Sequence, residues 1–309
     1  MRLAIALLLG GLLGTAGCRP RVGGAMSRAD SSIVLRREAR LAQALAAPDS
    51  GNSRTAIAKW HLGKELHEIS GLTLTEDGRL FAHADESGRV YEVDYRTGRM
   101  VKNFKLGQTP VREDFEAIAS VRDSLFLLTS KGVIYQFKEG EHGSDVAYVS
   151  RDTGLKDACE FEGLAFDARQ DAFLLLCKNV FTKTALKDSL VIYRLPRSAL
   201  SDSAPSDSSL SRVTVPLDPI IGPNDWKGLH PSDITVDPES GNYVIVAADE
   251  RAMVQITPEG QLVAARALGR ALAHVEGVAI TRDHILIMST EGDEKVKAAI
   301  TLFRWPERR

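Results

Sequence analysis

The chain has little of what most recognisable active sites and membrane spans are made from. Three cysteines, Cys18, Cys159 and Cys177, and seven histidines are spread over 309 residues. They form no H-E-x-x-H pair, and there is no G-x-S-x-G elbow or glycine-rich phosphate loop, so the usual signatures of zinc proteases, serine hydrolases and nucleotide binders are missing. An excess of one charge is missing too. There are 39 Lys and Arg against 41 Asp and Glu, a formal net charge of −2, which gives no general attraction to nucleic acid or anionic lipid. The only long apolar run, "LAIALLLGGLLGTAG" after Arg2, is too short and glycine-rich to span a bilayer, so residues 1–17 read as a signal peptide. Beyond residue 53 no long helical periodicity is found. What remains, 44% hydrophobic and 26% charged residues, is the composition of a globular protein.

The leader ends in "TAGC", which resembles a bacterial lipobox with Thr15 where Leu is usual. Cleavage before Cys18 and lipidation of its thiol are expected, which would anchor the chain to a membrane of the cell envelope, facing the periplasm or the cell surface. The resemblance to lipoproteins implies, from Arg19 in place of Asp after Cys18, the outer membrane in enterobacteria-like sorting. Residues 18–52 are polar and read as a flexible tether. Residues 33–46 have the pattern of a short helix, with nothing adjacent in sequence to bury it.

From residue 53 to 309 the chain reads as short β-runs divided by turn signals. Five runs share one shape: "SGLTL" at 70, "EAIAS" at 116, "EGLAF" at 162, "SDITV" at 232 and "EGVAI" at 276. Their central residues, Leu72, Ile118, Leu164, Ile234 and Val278, are 46, 46, 70 and 44 residues apart. The first unit continues through "EDG", "ESG" and "RTG" turns, where Gly supplies positive φ. Four antiparallel strands at this period make a β-propeller blade. The last unit stops one strand short, and "TAIAKWHL" at 55–62 supplies a candidate for the missing strand. The fold expected is therefore all-β: a five-bladed propeller closed by an N-terminal strand. A six-bladed alternative would hide a blade in residues 178–231.

Five segments in order, "ELHEISGLTLTEDGRLFAHADESGRVYEVD", "DFEAIA", "EFEGLAFD", "HPSDITVDPESGNYVIVAADE" and "HVEGVAI", resemble the SdiA-regulated propeller family of bacterial envelope proteins across about residues 60–305. The resemblance implies five blades, a distant likeness to NHL-repeat propellers, and a bound calcium ion. It implies no established activity. NHL-type relatives include metal-dependent hydrolases and lyases, a likeness of fold more than of site.

Aligned on their apolar residues, the five runs place Ser70, Glu116, Glu162, Ser232 and Glu276 on one ring, with Glu68 and Asp233 adjacent in sequence. Carboxylates crowded around a channel repel one another by about 1 to 4 kcal/mol per close pair. A shared cation or a bound proton relieves that repulsion. Hard oxygen donors favour Ca²⁺ over Zn²⁺, and the resemblance makes Ca²⁺ the first choice, held by Glu116, Glu162, Glu276 and Asp233. His67, His230 and His274 precede inner strands and belong with Glu68, Ser70 and Ser232 to the channel rim. Cys159 and Cys177 flank one hairpin, as a disulfide or as two buried thiols. Trp60 and Trp305 read as packing residues of the closing blade. Trp226 reads either as loop packing or as the flank of a pocket.

Two functions compete on this reading. The first is a lipid-anchored, non-catalytic monomer that binds calcium and presents its channel mouth to an envelope ligand or protein, with no nucleic-acid partner. The alternative is a metal-dependent hydrolase of an ester, lactone or phosphoester, with a rim histidine as base.

Overall fold

The computed structural model describes residues 28–47, 55–109, 111–181, 185–200 and 210–305. The leader and Cys18 lie outside them. Strand β1 (Ala56–His61) comes first in the chain but belongs to the last blade. Blade one is β2 (Ile69–Leu74), β3 (Leu80–Ala84), β4 (Ser87–Asp94) and β5 (Arg99–Leu106). Blade two is β6 (Phe115–Val121), β7 (Ser124–Thr129) and β8 (Val133–Lys138). It is completed, after a two-residue β9 (Asp145–Val146) that runs parallel to β5, by β10 (Tyr148–Asp152). Blade three is β11 (Cys159–Asp167), β12 (Ala172–Val180), β13 (Ser189–Pro196) and β14 (Ser211–Pro216); blade four is β15 (Pro231–Val236), β16 (Tyr243–Ala247), β17 (Ala252–Ile256) and β18 (Leu262–Ala267). Blade five has only β19 (Val275–Ile280), β20 (Ile285–Thr290) and β21 (Ala299–Arg304) of its own.

β1 completes it. It pairs antiparallel with β21, with Trp60 opposite Ile300 and His61 opposite Ala299. The two ends of the propeller are thus sewn into one sheet, and the inner strands β2, β6, β11, β15 and β19 touch in a closed ring. The long interval before Ile234 holds no sixth blade among the described residues. Its excess lies in the nine-residue strands β11 and β12 and in the connections that follow them.

The core is divided into five apolar clusters, one in each gap between adjacent blades. That arrangement explains the strand sequences. A blade is buried on both faces, so β12 reads as the near-continuous "AFLLLC": Leu174 and Leu176 pack toward blade four while Phe173 and Leu175 pack toward blade two. The repeat residues Leu72, Ile118, Leu164, Ile234 and Val278 are all buried. Of the turns read from blade one, "ESG" is displaced: the hairpin turns at Asp85–Glu86, and Gly88 lies within β4, where its N–H bonds to Val111 O. Gly98 of "RTG" does adopt a positive φ of 69°. A Cβ there would stand 2.3 Å from that of Trp60, so the closing strand packs directly on this turn.

The tether expectation fails over part of its length. Arg28–Ala46 forms a helix, α1, whose Leu41 is only 3% exposed in the cluster shared by blades five and one. Arg37 lies over the Trp60 ring at 5.2 Å and bonds Thr97 O. At the other end Arg304 donates to the carbonyls of Ala44, Leu45 and Ala47 at 2.7 Å, satisfying acceptors that a helix C-terminus leaves open. The apolar stripe that had no partner in sequence finds one in space, on the blade that β1 completes. Trp60 and Trp305 do share that blade: the Trp60 indole donates to Tyr95 O at 2.9 Å and that of Trp305 to Asp237 at 3.2 Å. Trp226 packs partly buried against the cluster of blades three and four.

Candidate functional site

Each inner strand carries a β-bulge at the same level, near the end where it begins. Pairing steps from Ile69 to Gly71, Phe115 to Ala117, Phe161 to Gly163, Pro231 to Asp233 and Val275 to Gly277. The residue skipped in each blade is Ser70, Glu116, Glu162, Ser232 or Glu276, the five members of the ring read from sequence. A bulge leaves its extra residue unpaired and re-aims the side chain. Here the bulge recurs at one level in all five blades. Blade three has a second irregularity: Glu160 pairs with Asn179 but Phe161 with Cys177, so Lys178 is skipped on β12.

The three glutamates share one electrostatic environment. Lys178 Nζ lies 2.8 Å from Glu162 Oε1, with side-chain exposures of 33% and 7%. Burial, and then the Glu162 charge, push Glu116 up to about 9; Asp114 beside it adds to the push. Burial and the charges of Glu162 and Glu291 push Glu276 up to about 8. Glu162 is also raised by burial, but its bond to Lys178 pulls the other way. Lys178 keeps its charge because Glu162, Glu160 and Glu276 outweigh the cost of its burial. One ammonium and two tightly held protons therefore balance the ring at neutral pH.

Asp233 does not belong to that ring. It occupies the paired position after the bulge, where the other blades have Gly71, Ala117, Gly163 and Gly277, so its side chain points between inner strands and is 1% exposed. Its oxygens accept the N–H groups of Ile234 and of Val278 in the next blade, both at 2.8 Å, and the Leu72 amide also faces it. The assignment of Asp233 as a metal ligand is corrected on this ground: its carboxyl is buried away from the ring, and both oxygens already accept backbone N–H groups. Ser232 is likewise turned away, donating to Val275 O at 2.6 Å.

Among the rim residues, His230 is tied to Glu250, which accepts from both its Nδ1 (2.8 Å) and its backbone N–H (3.0 Å). His67 Nε2 lies 3.2 Å from Asp293 O, and the His274 carbonyl accepts the N–H of Glu291. Glu68 stands close enough to Asp85 to raise it further, after burial. Cys159 and Cys177 are joined in a disulfide, Cα to Cα 5.7 Å, between the two strands that carry Glu162 and Lys178. Sequence reasoning missed Lys178, Asp114, Asp85, Glu250 and Glu291. A signal for two of them was present: the tripeptide Ala-Asp-Glu stands at the turn after the second strand in blade one (84–86) and in blade four (248–250).

Ca²⁺ does not fit the side chains as they stand. No group of three or more His, Cys, Asp or Glu among the described residues is arranged to hold a metal ion, and the most buried of the three glutamates is engaged by an ammonium. A cavity of about 570 Å³ lies at the opposite end of the channel, among the turns after the inner strands. Several polar groups there are already committed, Arg169 to the carbonyls of Glu239 and Ser240 and Asp237 to Ser240 and Trp305. The three inner-strand glutamates, with Lys178, are at the other end.

Fold and site together define a five-bladed β-propeller with an acidic, lysine-paired channel mouth. Neither a protein-family model nor a curated protein matches the chain. Among solved structures it is similar to the glutaminyl cyclase of Myxococcus xanthus, with a TM-score of 0.52 and 10% identity over 80% of this chain and 94% of that one. It is also similar to the PQQ-bound aldose sugar dehydrogenase of Streptomyces coelicolor, with a TM-score of 0.51 and 13% identity over 81% and 97%. At these identities the likeness is one of fold.

The ring has a measurable consequence for stability. Glu116 and Glu276 rise from an ordinary 4.5 to about 9 and 8, so between those limits the folded chain holds more protons than the unfolded one. Their contribution is complete at acidic pH and is lost as pH rises through the folded values. Buried His83, lowered from 6.5 to about 4, acts in the opposite sense but only below its unfolded value. The melting temperature should therefore fall between about pH 7 and pH 9. Glu116→Gln combined with Glu276→Gln should flatten that fall. A wild-type profile already flat over the range would contradict the assignment.

Proposed function

We propose that this chain is a binding propeller of the bacterial envelope whose mouth receives a positively charged group, the ammonium or guanidinium of a ligand or partner protein. The observation that carries the reading is the set of bulges that aim three glutamates and a single lysine at one mouth. Asp114, Glu160, Asp249 and Glu291 all act electrostatically on that ring. A recess lined by one sign of charge with low-dielectric walls concentrates ions of the other sign. An incoming cation would take up the charge that Glu116 and Glu276 now cover with protons.

The order of the five inner-strand motifs supports kinship with the SdiA-regulated propellers. An envelope location is supported by "TAGC" at Cys18 and by the disulfide, which suits an oxidising compartment. On this reading Cys18→Ala should move the protein from the membrane fraction to the soluble envelope fraction, and unchanged sedimentation with membranes would count against a lipid anchor. The hydrolase reading is weaker. It requires an open metal position facing a base, whereas Glu162 is paired with Lys178 and His230 is tied to Glu250. The two similar solved structures carry enzyme names, but their likeness extends to fold alone.

Calorimetry with a tri-lysine peptide tests the proposal. One-site binding is expected, weakened by added salt, accompanied by proton release near pH 7, and reduced at least tenfold by Glu276→Gln with Glu162→Gln. Absence of binding, or equal affinity in the variant, would overturn it.

A further inference from the structure

The gaps between blades are not all filled in the same way. An added segment brings an apolar side chain to four of them: Val146 of β9 between blades one and two, Leu200 between two and three, Ile220 of the short helix Asp218–Ile221 between three and four, and Leu41 of α1 between five and one. The gap between blades four and five receives only the connection that carries Leu268 and Leu272. A cavity of about 260 Å³ is left there, and the exposed Ala56, Ala267 and Gly269 mark its opening. Its wall on blade five consists of two rows across the sheet: Lys59, Thr301 and Met288, and beside them Ala56, Phe303 and Leu286. A bulge in β1 creates the space. Regular pairing on from Lys59 and Thr301 would set Ile57 opposite Phe303. The bulge sets Ala56 there instead and leaves Ile57 on the other face, packed against the cluster shared by blades five and one.

The lining is graded in polarity. Leu272, Leu286, Met288 and Phe303 are at most 7% exposed. Thr301, between Met288 and Lys59 in its row, is 1% exposed, and its hydroxyl has no hydrogen-bond partner among the described residues. Lys59 is exposed, and its Nζ reaches across the gap to Ala271 O at a long 3.5 Å. The charged residues of the lining are Lys59 and, on the facing blade, Arg266; no Asp or Glu is among them. A buried hydroxyl without a partner is costly, and an apolar cavity of this kind stays dry and takes up apolar groups. We infer that this slot binds a medium-chain monocarboxylate: the hydrocarbon chain packs on Leu272, Leu286, Met288 and Phe303, and the carboxylate accepts from the Thr301 hydroxyl and the Lys59 ammonium. The charge-assisted bond from Lys59 replaces a weak one to a carbonyl. At about 30 Å³ for each water-sized group, the cavity holds about eight or nine of them, a chain of about six to eight carbons. The unbranched thioether of Met288 adapts to the chain that enters. The slot opens between the outer strands β1 and β18 and uses none of the glutamate mouth, so it is independent of the function proposed above.

The test is calorimetric titration of the full chain with sodium octanoate and, in parallel, with 1-octanol, which keeps the chain and lacks the charge. One-site binding of octanoate is expected, about tenfold tighter than that of octanol, with a melting temperature that rises with octanoate concentration. Lys59→Gln should weaken octanoate and leave octanol unchanged. Ala56→Leu, which returns to the slot the bulk that the bulge removed, should abolish binding of both. Lys59 and Ala56 are exposed, so neither variant endangers the fold. Absence of octanoate binding to wild type would overturn the inference, as would equal affinity for octanol or undiminished binding by Ala56→Leu. Glu162→Gln with Glu276→Gln should bind octanoate as wild type does. A mouth that ignores lysine peptides would therefore sink the ligand reading without touching this result, whereas octanoate binding lost in that double variant would place the carboxylate elsewhere and overturn the inference.

Discussion

Every blade of a propeller turns the free edge of its inner strand toward the channel, and the amides on those edges need acceptors. Asp233 supplies one carboxylate for three of the five, reaching Ile234 in its own blade, Val278 in the next and the Leu72 amide beyond. It has room because Gly71, Ala117, Gly163 and Gly277 occupy its place in the other blades. Those small residues let neighbouring inner strands approach closely: a Cβ on Gly277 would stand 2.7 Å from the Leu72 side chain. Burial pushes the Asp233 carboxyl well above the usual range, against the pull of these amides. The rest of the site depends on this interaction, because it draws the inner strands together directly beneath the bulged residues and closes the floor of the mouth.

Above that floor, a carboxylate is far from bulk water but not alone. The five bulges set the radius of the ring, and burial supplies the largest part of the upward push on Glu116, Glu162 and Glu276. Lys178 neutralises one of them directly, through a second irregularity between the first two strands of its blade. The arrangement is charge-balanced without an external ion, yet every proton it holds is one that a stronger positive charge would displace. On the proposed reading the mouth exchanges those protons for a bound cation, a binding chemistry that needs no catalytic group.

Much of this is legible in the amino-acid sequence. The 46-residue period located the inner strands because Leu72, Ile118 and Leu164 fill equivalent slots between blades, and equivalent slots demand equivalent residues. The missing strand of blade five and the spare one at 55–62 predicted the closure. The ring of Ser70, Glu116, Glu162, Ser232 and Glu276 came from the same alignment. What sequence did not show was direction. A period-two pattern assigns neighbouring residues to opposite faces, and a bulge breaks that parity without leaving a mark in composition. So Asp233, one residue from the ring, was read as part of it, and Lys178, in an apolar strand, was not considered. The pattern of helix α1 is legible over residues 33–46, but its docking is not: Leu41 and Arg37 are held by Trp60 and Thr97, and that contact is tertiary.

The central claim is that three carboxyl groups converge in a water-poor mouth with one ammonium among them. Carbon-13 NMR of the glutamate side-chain carboxyls, followed against pH, tests it most directly, since each group reports its own titration. The account predicts two glutamates with midpoints near 8 and 9, assigned to Glu276 and Glu116. Midpoints for both near the ordinary 4.5 would mean the three side chains stand apart in water, and the account would fail.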